Sequence, residues 1–277
     1  MLRRFFFVAL ASATFYVSDA QQLKTPAPSP TQTLQQDFGV SSMQLIYSRP
    51  AMKGRKIFGD LVPYGKVWRT GANAATRIKF NDDVLFGGQP VKAGEYALYT
   101  IPGENEWDVI INKGSANWGT DYKQEDDIVR VKAKPAKLND AVESFTMQFE
   151  NVKPTSSDLK IMWEKTAVAV PVTVDVDSKI MAQIDNLMNK DNRPYFNAAM
   201  YYLESGKDLN KAVSWFDKAI EQTPNAYWVY HQKANALAKL GKKEEARQTA
   251  TKSMELARTQ KNDDYVKLNE KLLASLK

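Results

Sequence analysis

The alternation of apolar and polar residues divides the chain into two stretches with different periods. From about residue 40 to residue 174 the period is two. In "ESFTMQFE", Phe145, Met147 and Phe149 fall on one face, and Ser144, Thr146, Gln148 and Glu150 on the other. "LKIMWE" does the same with Leu159, Ile161 and Trp163 inward. "TRIKF", "EYALYTI", "WDVII", "IVRVKA" and "AVAVPVTV" are further β-rich runs, separated by the turn-forming "FGGQP", "KAG" and "IPGENE". About eight or nine short strands at this spacing predict an antiparallel β sandwich or barrel. Pro171 cannot donate to a ladder, which places the last strand at an edge.

Near residue 177 the pattern turns helical and no strand pattern follows, so the fold class is multidomain, all-β and then all-α. Asp177 is positioned to cap "SKIMAQIDNLMNK", on which Ile180, Ile184, Leu187 and Met188 share a face. Residues 192–258 repeat internally: Ala199 aligns with Ala234, Gly206 with Gly241, Ala212 with Ala246 and Phe216 with Ala250. Small residues at these points let helices approach closely, and Pro224 ends the second helix. The period and the small residues resemble the tetratricopeptide repeat, with Tyr195 and Tyr230 where its usual Trp stands. Two repeats are short of the usual stack, so the helix after Asp177 and the last helix, "DDYVKLNEKLLASLK", are expected to act as caps.

The ends of this plan are set by composition. Arg3 and Arg4 precede the apolar run "FFFVALASATFYV", and Ser18 and Ala20 have the small-residue spacing of a signal peptidase site, predicting cleavage after Ala20. The run is too short to span a bilayer and no other stretch qualifies, so no transmembrane span is expected after cleavage. "KTPAPSPTQT" reads as an extended tether. The expected boundaries are residues 1–20 signal, 21–36 tether, 37–175 β-rich domain and 176–277 helical domain. The chain contains no Cys, which excludes a disulfide framework and a lipid-anchored Cys. An exported chain of this size without disulfides suits the periplasm or cell surface of a Gram-negative bacterium.

Charge is uneven along the chain. The net formal charge of +6 is mild and gives no case for nucleic acid. Between Tyr47 and Phe80, however, stand Arg49, Lys53, Arg55, Lys56, Lys66, Arg69, Arg77 and Lys79 against a single acid, Asp60. The segment "YSRPAMKGRKIFGDLVPYGKVWRTGANAATRIKF", with "AGEYALYTIP" and "WDVIINK", resembles the bacterial domain of unknown function numbered 2911, found in exported proteins and sometimes followed by tetratricopeptide repeats. The resemblance covers roughly residues 35–175. It implies a β-rich domain and carries over no catalytic or binding residue.

The residues themselves offer two readings of "GKVWRTGANAAT". As an anion or glycan site, Arg69 would fork onto a carboxylate or phosphate, Trp68 or Tyr64 would stack, and Gly71 would let backbone approach. Arg49, Arg55, Asn73 and the loop residue Trp118 complete that candidate set. As a structural corner, Trp68 would anchor the core, and Arg69 and Arg49 would pair with acids such as Asp82, Asp83, Glu95 or Asp108.

Other chemistry is sparse. The sole histidine, His231, lies in a repeat helix and reads as a surface residue; with no Cys, triads of either nucleophile and Cys-ligated metals are excluded from the β domain. Asp82–Asp83 and Glu125–Asp127 lack EF-hand spacing and read as solvated turns. Ser157 and Lys160 spell S-x-x-K without its partner motifs. No metal or cofactor is expected. The chain therefore reads as an envelope binding or scaffolding protein, with other envelope proteins or peptides on its helical repeats and an anionic or glycan ligand on its β domain. The competing class is a hydrolase or carbohydrate-active enzyme using carboxylates.

Overall fold

A computed structural model describes residues 25–114 and 121–276. The signal segment and Trp118 lie outside the described residues. The chain forms two compact units that part between Asp175 and Val176.

The first unit contains two antiparallel sheets, neither of them closed into a barrel. One has the order β1-β2-β3-β6-β7-β8, built from Thr31–Phe38, Ser41–Ser48, Thr76–Phe80, Gly94–Ile101, Trp107–Asn112 and Asp127–Ala133. The other has the order β5-β4-β10-β9, where β4 is Val84–Phe86, β5 Gln89–Val91, β9 Ala136–Lys153 and β10 Ser156–Val174. Gly87 and Gly88, at φ 57° and 82°, close the two-residue turn of the β4–β5 hairpin and so suit the twist of the flanking strands. A Cβ on Gly87 would fall 2.3 Å from Val131 Cγ1, so β8 packs directly on that turn.

Alternation explains which faces are covered. Phe145 and Met147 of β9 and Leu159, Ile161 and Trp163 of β10 are buried. Tyr47 of β2 reaches β9, its hydroxyl accepting from Met147 N–H at 2.9 Å. Burial pushes the Tyr47 phenol above its ordinary pKa. Phe58 stands edge-on to Trp107 of β7 at 4.9 Å and to Trp163 of β10 at 6.5 Å, joining the two sheets in one aromatic core.

Two expectations for this unit are corrected. The chain is ordered as β1 from Thr31, within the stretch read as tether; "TQTLQQDF" buries only Phe38, and it is held as an edge strand by backbone pairing with β2, which leaves no hydrophobic pattern to read. The last strand, β10, lies inside its sheet between β4 and β9. Pro171 is tolerated because it falls between the two ladders: β9 pairs no further than Ala167, β4 begins at Val172, and the Pro171 carbonyl accepts from Gly87 N–H at 2.8 Å.

The second unit is helical: α1 Asp177–Met188, α2 Tyr195–Glu204, α3 Leu209–Gln222, α4 Tyr227–Lys239, α5 Lys243–Thr259 and α6 Asp263–Ser275. The aligned small residues Ala199, Ala234, Ala212, Ala246 and Ala250 are all fully buried where helices cross. Gly206 and Gly241 take positive φ at equivalent turns, 65° and 76°. Ile184 of α1 packs into the core of α2 and α3, and Leu272 of α6 packs on Leu237 and Ala246.

Two further expectations fail here. Asp177 is the first helical residue rather than the cap; its carboxylate accepts from the Tyr201 hydroxyl at 2.6 Å and pairs with Lys207 at 2.7 Å. His231 is buried, not on the surface. Its Nδ1 meets Asn269 Oδ1 at 2.8 Å, and Asn269 Nδ2 donates to Ser253 Oγ at 2.8 Å, so a hydrogen-bonded polar chain links α4, α6 and α5.

Candidate functional site

The basic segment forms the long excursion between β2 and β3, and its first residues are fastened to β9. Phe145 N–H donates to Pro50 O and Met52 N–H to Glu143 O, both at 2.8 Å. Arg49 donates through Nε to Phe145 O at 3.0 Å and through Nη2 to Thr146 Oγ1 at 2.9 Å. Its guanidinium is thus part of the fastening. Arg55 folds back onto the same turn, donating to Met52 O and Ala51 O.

The chain then turns through a tight loop that sends Ile57, Phe58 and Val62 into the core. Tyr64 lies over Gly59, where a Cβ would come within 2.7 Å of its ring. Trp68 re-enters the sheet by a two-way bridge with Thr100, at 2.7 and 2.9 Å. Its ring stacks on Trp163 at 5.9 Å and 16°.

The next residues make the corner. Thr70 and Asn73 take φ of 53° and 60°, and Gly71 stands at 150°. The Trp68 indole donates to Gly71 O at 3.0 Å, Thr76 Oγ1 donates to Thr70 O, and a Cβ on Gly71 would meet Ser48 O at 3.0 Å. Asn73 is occupied by Ser29 O and Ser48 Oγ, each at 3.3 Å.

Arg69 departs from the structural reading. Three of the four acids named as its partners are held elsewhere: Glu95 by Arg77, Asp83 by Lys92, and Asp108 by Arg130 and Lys132. Among the described residues no carboxylate pairs with Arg69, and its Nε is buried without a hydrogen-bond partner. Arg69 lines a hollow of about 380 Å³ together with Lys53, Arg55, Leu61, Trp68, Gly71 and Trp163. Three cations meet there and no acid lines the walls. A buried guanidinium N–H with no acceptor costs free energy that an anion would recover.

Of the seven predicted residues, then, Arg55, Trp68 and Arg69 share one hollow. Arg49 and Asn73 are structural ties beside it. Tyr64 lines a separate hollow of about 350 Å³ with Lys56, Lys137, Lys165, Glu104 and Glu164. Lys53 and Trp163 join the first hollow although sequence reasoning did not choose them; Lys53 stood in the basic run, whereas Trp163 was legible only as a core residue.

Ser157, Lys160 and Asp127 are engaged. Ser157 is buried and donates to Glu150 O at 3.0 Å, and Lys160 pairs with Glu150 at 2.9 Å; the hydrogen bond from Lys160 holds the Glu150 carboxyl below its ordinary pKa. Asp127 accepts from Tyr122 and Arg130. Burial, and then that bond to Asp127, pushes the Tyr122 phenol up to about 12. Among the described residues no three or more His, Asp or Glu side chains gather as a metal site, and no helix is long and apolar enough to cross a membrane.

The helical unit offers a shallow groove of about 320 Å³ between α2 and α4, lined by Met200, Leu203, Gln232, Asn235 and Lys239.

Comparison with protein families accounts for both units. Residues 29–172, just over half of the chain, match the family described as "Protein of unknown function (DUF2911)". Tetratricopeptide repeat profiles match residues 193–225 and 215–248. The chain belongs to the DUF2911 family and carries tetratricopeptide repeats after that domain, an architecture suited to protein–protein contact. Comparison with curated proteins and with solved structures finds no match.

Proposed function

We propose that the protein is an exported envelope binding or scaffolding protein, in which the β unit holds a small anionic ligand at Arg69 and the helical repeats hold a protein or peptide partner. The observation that carries the ligand half is the unpaired Arg69 in a hollow lined by Lys53, Arg55 and two indoles with no acid. Export rests on the basic, apolar and small-residue sequence of residues 3–20. The partner half rests on the repeats and the α2–α4 groove.

The ligand fits by charge and by surface. An anionic group within reach of Arg69 gains charge-assisted hydrogen bonds, each worth about 1.5–3 kcal/mol, while Trp68 faces its apolar or sugar body. A carboxylate-based hydrolase finds its support in the second hollow, where Glu104 and Glu164 both stand. Glu164 Oε2, however, accepts from Ile57 N–H at 3.3 Å and so acts as a loop tie.

The test is a thermal-shift series on the chain from Gln21 onward with inorganic phosphate, acetate and glucuronate, repeated with Arg69→Ala. At least one anion should raise the midpoint, by about 2–4 °C per kcal/mol of linkage, and the substitution should abolish that rise. A flat response to every anion, or a rise that survives in Arg69→Ala, removes the site. Separately, N-terminal sequencing of the protein recovered from an envelope fraction should begin at Gln21; a chain that still begins at Met1 removes the export proposal.

A further inference from the structure

Three of the large hydrophobic side chains left in solvent stand within seven residues of one another: Leu61, Tyr64 and Val67 are 44%, 39% and 40% exposed. Their neighbours Ile57, Phe58 and Val62 are buried, so the loop had a core available and still turns these three outward. It is a firm loop. Val62 N–H donates to Ile57 O at 2.9 Å, Gly65 N–H to Pro102 O at 2.8 Å, and Trp68 N–H to Thr100 O at 2.7 Å. The apolar tip is therefore preformed and needs little ordering on contact.

Exposed bases surround it: Lys53, Arg55, Lys56 and Lys66. The acids facing this stretch are Asp60 within the loop, Glu143, whose Oε1 accepts from Lys53 N–H at 2.9 Å, and Glu104 and Glu164 in the neighbouring hollow, where Lys137 and Lys165 oppose them. Leu61 also lines the Arg69 hollow with Lys53 and Arg55, so the apolar tip and the cationic hollow adjoin.

We propose that the loop of residues 53–67 docks on an anionic phospholipid surface, Leu61, Tyr64 and Val67 entering the interface while the phosphate of one headgroup enters the hollow at Arg69. This rests on the Arg69 reading and names its ligand. Charge complementarity selects an anionic surface, and the aliphatic pair Leu61 and Val67 selects lipid over polysaccharide. Leu61 and Val67 offer a sugar neither a flat face nor a hydrogen bond, and gain only by leaving water. A rigid apolar tip ringed by Lys and Arg is the composition that combines interfacial insertion with attraction to anionic headgroups.

The experiment pairs vesicle pelleting with thermal shift, using the chain from Gln21 onward, which retains every described residue. The vesicles are phosphatidylcholine with or without phosphatidylglycerol, and the soluble probe is glycerol phosphate. Pelleting is expected only with phosphatidylglycerol and should weaken as salt is raised. Replacing Tyr64 and Val67 together by Asp, neither of which lines the Arg69 hollow, should lower partitioning at least about tenfold while leaving the glycerol phosphate shift intact. Removing Lys56 or Lys66 should cost about fivefold each, and Arg69→Ala should weaken both readouts.

Equal pelleting with neutral vesicles, none with either, or a tip variant that pellets like the parent overturns the lipid proposal. A glycerol phosphate shift without pelleting overturns it while leaving the Arg69 hollow in place. An unchanged shift in Arg69→Ala removes the hollow itself. A concentration-dependent dimer that the Asp substitutions dissolve, with no pelleting, reassigns the tip to a second copy of the chain.

Discussion

Gly71 shows how single residues set this site. At φ 150° with only 3.0 Å between its missing Cβ and Ser48 O, it occupies backbone space that an L side chain enters only with strain. Gly71→Ala is expected to destabilise the β unit by about 1–3 kcal/mol, read as a lower urea midpoint at unchanged slope, and to weaken anion binding because it displaces the corner carrying Arg69. A neutral midpoint would mean that the corner relaxes freely. Part of this was legible in the sequence. Gly and Asn spaced through "GKVWRTGANAAT" announce positive φ, and a Trp there announces an anchor. The isolation of Arg69 was not legible, because which acid meets which base follows from strand register: Arg77 takes Glu95 across the β3–β6 ladder, and no local pattern states that pairing.

Elements carry the next level of information, and β10 is its clearest instance. Its inward residues are Leu159, Ile161 and Trp163, then Val168, Val170, Val172 and Val174; the parity changes at Glu164, which stands at φ 53°. Sequence periodicity read two runs, "LKIMWE" and "AVAVPVTV", because one residue out of extended conformation inverts the face and hides the continuity of a single strand. The helices failed differently. Their existence and repeat were visible in small residues, whereas Asp177 and His231 depended on partners from other helices. Asp177 yields a pH prediction. Its hydrogen bond from Lys207, and then that from Tyr201, holds its carboxyl below the ordinary range. Because the folded pKa is depressed, the stability it contributes is fully present above the unfolded value of about 4 and is lost as pH falls through the lower folded value. The acid-side loss of helical circular dichroism in that window should be shallower in Asp177→Asn, which has no proton to gain. An unchanged acid limb would remove Asp177 from the account.

Across the whole molecule, each unit buries its own core: one is built around Phe58, Trp107, Phe145 and Trp163, the other around Ala199, Ala212, Phe216 and Ala250. The polar chain from His231 through Asn269 to Ser253 belongs wholly to the second. Damage to one core should therefore leave the other folded, and unfolding of the chain need not follow a single two-state transition. His231→Ala supplies the test, since it leaves buried Asn269 Oδ1 without a partner and should cost the helical unit about 1–3 kcal/mol. Under limited proteolysis with mass spectrometry, the variant should release helical peptides earlier than the parent while a fragment ending near Asp175 survives. That fragment should retain whatever anion-induced rise in midpoint the parent chain shows, because Arg69, Lys53, Arg55, Trp68 and Trp163 all lie within it. If the β fragment is digested in step with the helices, the two cores stabilise one another and the anion site has to be studied as a property of the undivided chain.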